Sequence, residues 1–138
     1  MPYAFFDHTG DFGVDVQADT AEAVIAEVAR AFLDLLTGEP SAVREAEARS
    51  ISVAGGDREE ALVAFGNELL FLFEAEGFLC ARFEARPQVG GVIEGLAHGE
   101  PFDPTRHPIA RPIKALTYHE LAFELSPQGA TARLIFDL

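Results

Sequence analysis

Phe12-Gly13-Val14-Asp15-Val16-Gln17-Ala18 places Phe12, Val14, Val16 and Ala18 in alternation with Gly13, Asp15 and Gln17, the two-residue period of a strand. The next residues change period. Ala21, Val24, Ile25, Val28, Ala29, Phe32, Leu35 and Leu36 form one apolar stripe at helical spacing, predicting a helix over about 20–37. Asp19 with Glu22 three residues on resembles a capping box, and Gly38 and Pro40 end the helix.

The same alternation continues outward. Val43 to Arg49 is charged and ambiguous, Ile51-Ser52-Val53 is strand-like, and Gly55-Gly56 turns the chain. A second helix is expected over about 58–76, introduced by Asp57 and Glu60, with Leu62, Phe65, Leu69, Leu72 and Phe73 as its buried face. Gly66 inside it costs roughly 1 kcal/mol against Ala, which points to a close packing contact. After Gly77 come strand candidates at 78–86 and 92–98, joined through Pro87 and Gly90-Gly91. A polar loop at 99–112 follows, then strands at 113–125 and 130–137 around the turn Ser126-Pro127-Gln128-Gly129. The order predicts an α+β fold: a mostly antiparallel sheet with two helices packed on it. With no repeat and no dividing linker, 1–138 reads as a single domain.

Composition narrows the function. The chain has 138 residues, 49% of them hydrophobic, enough for a core, and a formal net charge of −13. That charge argues against strong direct binding of a phosphate backbone over a broad surface. No apolar run is long enough to span a bilayer, and the N-terminal residues lack a basic region and an apolar stretch. A cytoplasmic protein without membrane contact is the expectation. The single cysteine, Cys80, excludes an intrachain disulfide and a Cys-rich zinc site. Nine Arg accompany one lysine, Lys114, and an ammonium is not interchangeable with a guanidinium at a close contact. No Walker loop, dinucleotide glycine fingerprint or nucleophile elbow is present.

Two ends of the chain carry the candidate chemistry. Asp7-His8-Thr9-Gly10-Asp11 packs two carboxylates, an imidazole and a hydroxyl into five positions. At the other end, Asp137 stands beside the α-carboxylate of Leu138. If the last strand pairs antiparallel with the first, Asp11 meets both. Three carboxylates repel, and a hard cation such as Ca²⁺ or Mg²⁺ relieves that conflict through oxygen ligands. Spacing alone leaves two readings open: that cation site, or a turn-capping Asp11 with a solvated Asp137. His8, His98, His107 and His119 show no zinc-motif spacing. In a regular strand Lys114, Leu116 and Tyr118 would share one face, and Ala115, Thr117 and His119 the other.

Five motifs together resemble the archease family. They are Asp7-His8-Thr9-x-Asp11-x-Gly13; Asn67-Glu68-Leu69-Leu70-x-Leu72-Phe73 with Glu76-Gly77; Gly99-Glu100 leading to Arg106-His107; Lys114-Ala115-x-Thr117-Tyr118-His119; and the terminus Phe136-Asp137-Leu138. They run in order from residue 7 to 138. The chain departs from the family pattern at Gly10, where Ala is usual, at Gly66, where a bulkier residue is common, and at Arg111-Pro112-Ile113, which replaces an acidic residue and Val. The resemblance implies a small α+β unit with an inserted strand-helix-strand-strand module. It implies a non-enzymatic accessory protein that transiently assists an RtcB-type RNA ligase in tRNA splicing and RNA repair, promoting its guanylylation and multiple turnover. It also implies a bound divalent cation, usually calcium, on Asp11, Asp137 and Leu138, and activation or partner roles for Lys114, Asp7, His8 and His119. Two alternatives remain: a metal-dependent phosphoester hydrolase using Asp11, Asp137 and His8, and a general chaperone favoured by the acidic surface.

Overall fold

A computed structural model describes residues 2–8 and 10–138, with the backbone alone at His8. Seven strands and two helices follow the order β1 (Tyr3–His8), β2 (Asp11–Ala18), α1 (Ala21–Thr37), β3 (Glu47–Ala54), α2 (Arg58–Glu76), β4 (Phe78–Ala85), β5 (Val92–Pro101), β6 (Ala115–Ser126) and β7 (Gly129–Asp137). A short 3-10 turn at Pro40–Ala42 links α1 to β3. The α+β class holds, but the strands divide into two antiparallel sheets. One has the order β1-β2-β7-β6 and the other β3-β5-β4. Residues 47–101 thus form the expected inserted strand-helix-strand-strand module.

Local chemistry explains most boundaries. Every residue of the predicted α1 stripe is buried. The cap, however, is Thr20, whose hydroxyl accepts from the Ala23 N–H at 3.1 Å. Asp19 does not serve, and the Glu22 carboxylate instead accepts from the Gln88 N–H at 2.6 Å, tying the helix start to the β4–β5 connection. Gly38 closes α1 with φ 74°, a left-handed conformation that glycine adopts without a Cβ penalty. At α2 the expected box is present: Asp57 accepts from the Glu60 N–H, and Glu60 reaches back to the Gly56 N–H.

The helices lie between the two sheets. α1 packs on β2 and β7 from one side and on β4 from the other, while α2 contacts β6 and all three strands of the second sheet. A single apolar cluster therefore runs through both sheets, with Val14, Leu33, Phe65, Phe123, Leu134 and Phe136 fully buried. Gly66 is the close contact its position implied: a Cβ there would fall 2.2 Å from Leu116 Cδ2. Phe73 is only partly buried and meets the Phe102 ring edge-on at 5.3 Å.

Three further boundaries differ from the sequence reading. β1 is a full strand, where residues 7–13 read only as a lead-in to β2. β5 continues to Pro101, so the polar loop is 102–114. β6 starts at Ala115, so Lys114 precedes the strand. An edge strand such as β1 is covered on one side only, and its short Tyr3–His8 run carries a weak period.

Candidate functional site

The sheet register brings the chain's two ends together. Phe12 pairs with Phe136 across β2 and β7, so Asp11 lies at the adjoining position from Asp137. On one edge strand His8 pairs with Asp11, and on the other Ala115 pairs with Asp137. Positions 8, 11, 137 and 115 thus form one row at the end of the β1-β2-β7-β6 sheet. Lys114 joins it through its backbone: its N–H donates to the Asp137 carbonyl at 2.8 Å. Asp11, Asp137 and Leu138 are half-buried, and Lys114, Asp7 and His119 are exposed. Thr9 and the His8 side chain, both part of the N-terminal motif, lie outside the described residues.

The donor chemistry of this row suits a hard cation. Asp11 and Asp137 offer carboxylate oxygens, and Leu138 offers main-chain oxygen, the ligand type that Ca²⁺ and Mg²⁺ take. Among the described residues no group of three His, Cys, Asp or Glu side chains is gathered for a metal. The implied site uses two such side chains, with its third donor from the backbone.

Two side chains hold the residues next to the row. Leu116, one residue from the row, is held by α2: the Asn67 side-chain oxygen accepts its N–H at 3.0 Å. Arg111 lies over the Phe12 ring, 4.7 Å from its centroid, and both Ala110 and Arg111 donate backbone N–H groups to the Leu36 carbonyl. The loop 102–114 is therefore strapped to α1 and β2 just before it delivers Lys114.

The far end of that loop is anchored on a buried carboxylate. Glu100, 5% exposed, accepts from the Arg44 N–H at 2.8 Å, the His107 Nε2 at 2.9 Å and an Arg106 guanidinium nitrogen at 2.5 Å. His107 Nδ1 accepts the Asp103 N–H at 2.9 Å, which leaves the proton on Nε2 to donate to Glu100. Burial pushes the Glu100 carboxyl up, but the Arg44 amide, the His107 ring and the Arg106 guanidinium outweigh it and hold it down at about 2. The sequence marked Glu100, Arg106 and His107 only as a motif. Their joint role follows from the chain turning back through Asp103–His107, which six-residue spacing does not reveal.

The β6 strand also departs from the alternation expected of it. Thr117 pairs with Ile135 and Ala122 with Arg133, so four residues bulge out between them and the two-face reading of Tyr118 and His119 does not apply. Tyr118 is 66% exposed. Cys80 is buried, and burial pushes its thiol up to about 12, the opposite of an activated nucleophile.

The Archease protein family (MTH1598/TM1083) model matches residues 3–138. The chain belongs to the archease family. It is 37% identical over 141 residues to the archease of Methanopyrus kandleri, with all of both chains covered. To that of Pyrococcus furiosus it is 34% identical over 137 residues, covering 96% of each. The solution structure of Methanobacterium thermoautotrophicum protein 1598 matches with a TM-score of 0.80 and 27% identity over 99% of both chains. The crystal structure of a Thermotoga maritima archease, described as a possible chaperone, matches with a TM-score of 0.60 at 22% identity, over 96% of this chain and 94% of that one. The archease fold is thus shared across the whole length. No described helix is long and apolar enough to cross a membrane.

Proposed function

We propose that this archease is a non-enzymatic activator of an RtcB-type RNA ligase, and that its working end is the row formed by Asp11, Asp137, Leu138 and Lys114. The observation that carries the proposal is the register of β2, β7 and β6. It gathers carboxylates from the two ends of the sequence and sets the sole lysine beside them. Asp11, Asp137 and the Leu138 main-chain oxygen would hold a divalent cation, for which calcium suits the all-oxygen set. The bound cation would offset the repulsion of the clustered carboxylates and offer positive charge to an anionic group of the partner. Lys114 adds a compact ammonium that the loop 102–114 holds at the same edge.

Burying these charges in a ligase pocket, transiently, would favour the guanylylation-competent arrangement of that pocket. The net charge of −13 supports an action through protein contact over one through RNA. Position 8 stands in the row, Asp7 and His119 lie near it in sequence, and all three belong to the same proposed partner surface. The test is ligation of RNA ends at limiting ligase, with labelled GTP transfer followed in parallel. Wild-type protein at substoichiometric amounts is expected to speed guanylylation and increase turnovers per ligase. Stimulation only at equimolar amounts would indicate a stable subunit. RNA joining or phosphoester hydrolysis by the protein without ligase would favour the hydrolase alternative instead.

A further inference from the structure

The β6 bulge carries a strained residue that an arginine of the next strand contacts. Tyr118–Leu121 span a stretch where β7 has Leu134 alone, so β6 arches away from the sheet. Within the arch, Glu120 is the one non-glycine with a positive φ, 52°, among the described residues. A left-handed Glu is strained, and a strained residue persists only where its surroundings enforce it. The Glu120 carboxylate lies 3.7 Å from His119 Nε2 within the arch and is reached from outside it by Arg133, on the next strand. Its guanidinium grips Asp15 of β2 with two nitrogens, at 2.7 and 2.8 Å, and donates to Glu120 at 3.3 Å. It also stacks 4.5 Å from the centre of the Phe6 ring. Phe6 in turn packs against Gly13, where a Cβ would fall 2.1 Å from the ring.

Glycine at 13, an aromatic at 6 and a forked arginine at 133 thus tie three strands to one strained residue. A regular hairpin would need none of them, and would not leave Tyr118 projecting. Bulges that re-aim side chains concentrate beside functional sites, and this one starts one residue after Thr117, next to the row that ends the sheet.

We propose that Arg133 is a positioning residue that locks the 118–121 arch, and that the arch presents Tyr118 as an anchor on the ligase. The inference rests on the ligase reading above and adds a second contact to it. Tyrosine is suited to anchoring: a large rigid ring with few rotamers to freeze, enriched where binding energy concentrates. Because Tyr118 already stands out from the surface, binding needs only a receptive pocket on the partner. Loss of the lock would leave the arch a set of conformers, and affinity would fall by the fraction no longer poised.

The experiment measures ligase stimulation against concentration for wild type, Arg133→Met, Asp15→Asn, Tyr118→Ala and the Arg133→Met/Tyr118→Ala double variant, with amide hydrogen exchange on each. Methionine keeps an apolar stem over Phe6 but cannot fork, and Asp15→Asn loosens Arg133 without touching the arch. Arg133→Met and Tyr118→Ala are each expected to raise the half-maximal concentration about tenfold, the scale of an anchoring side chain, with maximal stimulation retained. The double variant is expected to be no weaker than Tyr118→Ala, because Arg133 acts through Tyr118. Amides of 118–121 should exchange faster in Arg133→Met and Asp15→Asn, while those of the core strands stay protected. Half-maximal concentrations equal to wild type in both Arg133→Met and Asp15→Asn would overturn the proposal, as would additive effects in the double variant. If wild-type protein gives no stimulation, the ligase reading fails and the anchor with it. The lock is then judged by exchange alone, and unchanged exchange at 118–121 refutes it.

Discussion

Replacing Glu100 should separate the buried clamp from the working end it supports. Glu100→Ala removes the acceptor for three donors: the Arg44 amide, His107 Nε2 and the Arg106 guanidinium. His107 is buried and cannot turn to water, so leaving its Nε2–H without an acceptor costs about 1–3 kcal/mol. Glu100→Gln is milder. Its amide oxygen can still receive the Arg44 and His107 protons, but its NH₂ faces Arg106, whose side chain is 34% exposed and can swing outward. The loss is then one charge-assisted bond, about 1.5–3 kcal/mol.

The pH dependence adds a sharper check. The Glu100 carboxyl is depressed from its usual 4.5 to about 2 in the folded protein. A depressed carboxyl stabilises the fold fully above its unfolded value, and that contribution disappears as pH falls through 4.5 toward 2. At ~1.4 kcal/mol per unit, the whole effect is at most about 3.5 kcal/mol. Urea denaturation followed by circular dichroism at pH 7 and pH 3 measures both. Wild type is expected to exceed Glu100→Gln at pH 7, with the gap narrowing by pH 3. Equal stabilities at pH 7, or a gap that does not change with pH, would refute the clamp.

The other expectations concern the sheet end and the core. Calorimetry should show Ca²⁺ or Mg²⁺ binding that Asp11→Ala and Asp137→Ala each weaken, and a chain extension after Leu138 should weaken it if the α-carboxylate is a ligand; unaltered binding in both alanine variants removes the site. Lys114→Ala should leave stability within about 0.5 kcal/mol, since the side chain is exposed, while sharply reducing ligase stimulation; a variant that fails to fold contradicts this. Gly66→Val should cost about 1–3 kcal/mol in thermal or urea unfolding, because even a Cβ overlaps Leu116, and normal stability would show that Leu116 can move aside. Cys80 should resist a thiol reagent at pH 8 in the folded protein and react once urea unfolds it, because burial holds the thiol up at about 12; fast native reaction would refute that burial.

How much of the site was legible in the sequence depends on how local its cause is. Asp57, Gly38 and Gly77 act within one helical turn, so the start of α2 and the C-terminal ends of both helices could be read directly. Thr20 was displaced by Asp19 in that reading because both are good caps and stand side by side; only the backbone's entry angle chooses between them. Asp11 and Asp137 stood out as acidic groups at the two ends, but their meeting depended on an antiparallel β2–β7 pair that no local pattern guarantees. The β6 bulge was not legible at all. Residues 113–125 read as a continuous strand, and the bulge shows only in the register against β7, where Arg133 contacts Glu120, Asp15 and Phe6 from another strand.

The amino-acid sequence by itself determined the α+β class, the two helices with their buried stripes, the turn at 126–129 and the residues with chemical potential, because hydrophobic period and capping are properties of neighbours along the chain. Tertiary structure alone decided that the strands split into two sheets, that Glu100 clamps the loop 102–114, and that Asp11, Asp137 and Lys114 share one edge. Those outcomes depend on register. A shift of one residue between β2 and β7 would move Asp137 away from Asp11 and turn Phe136 out of the core, and that cost, spread over both sheets, is what holds the two ends of the chain in place.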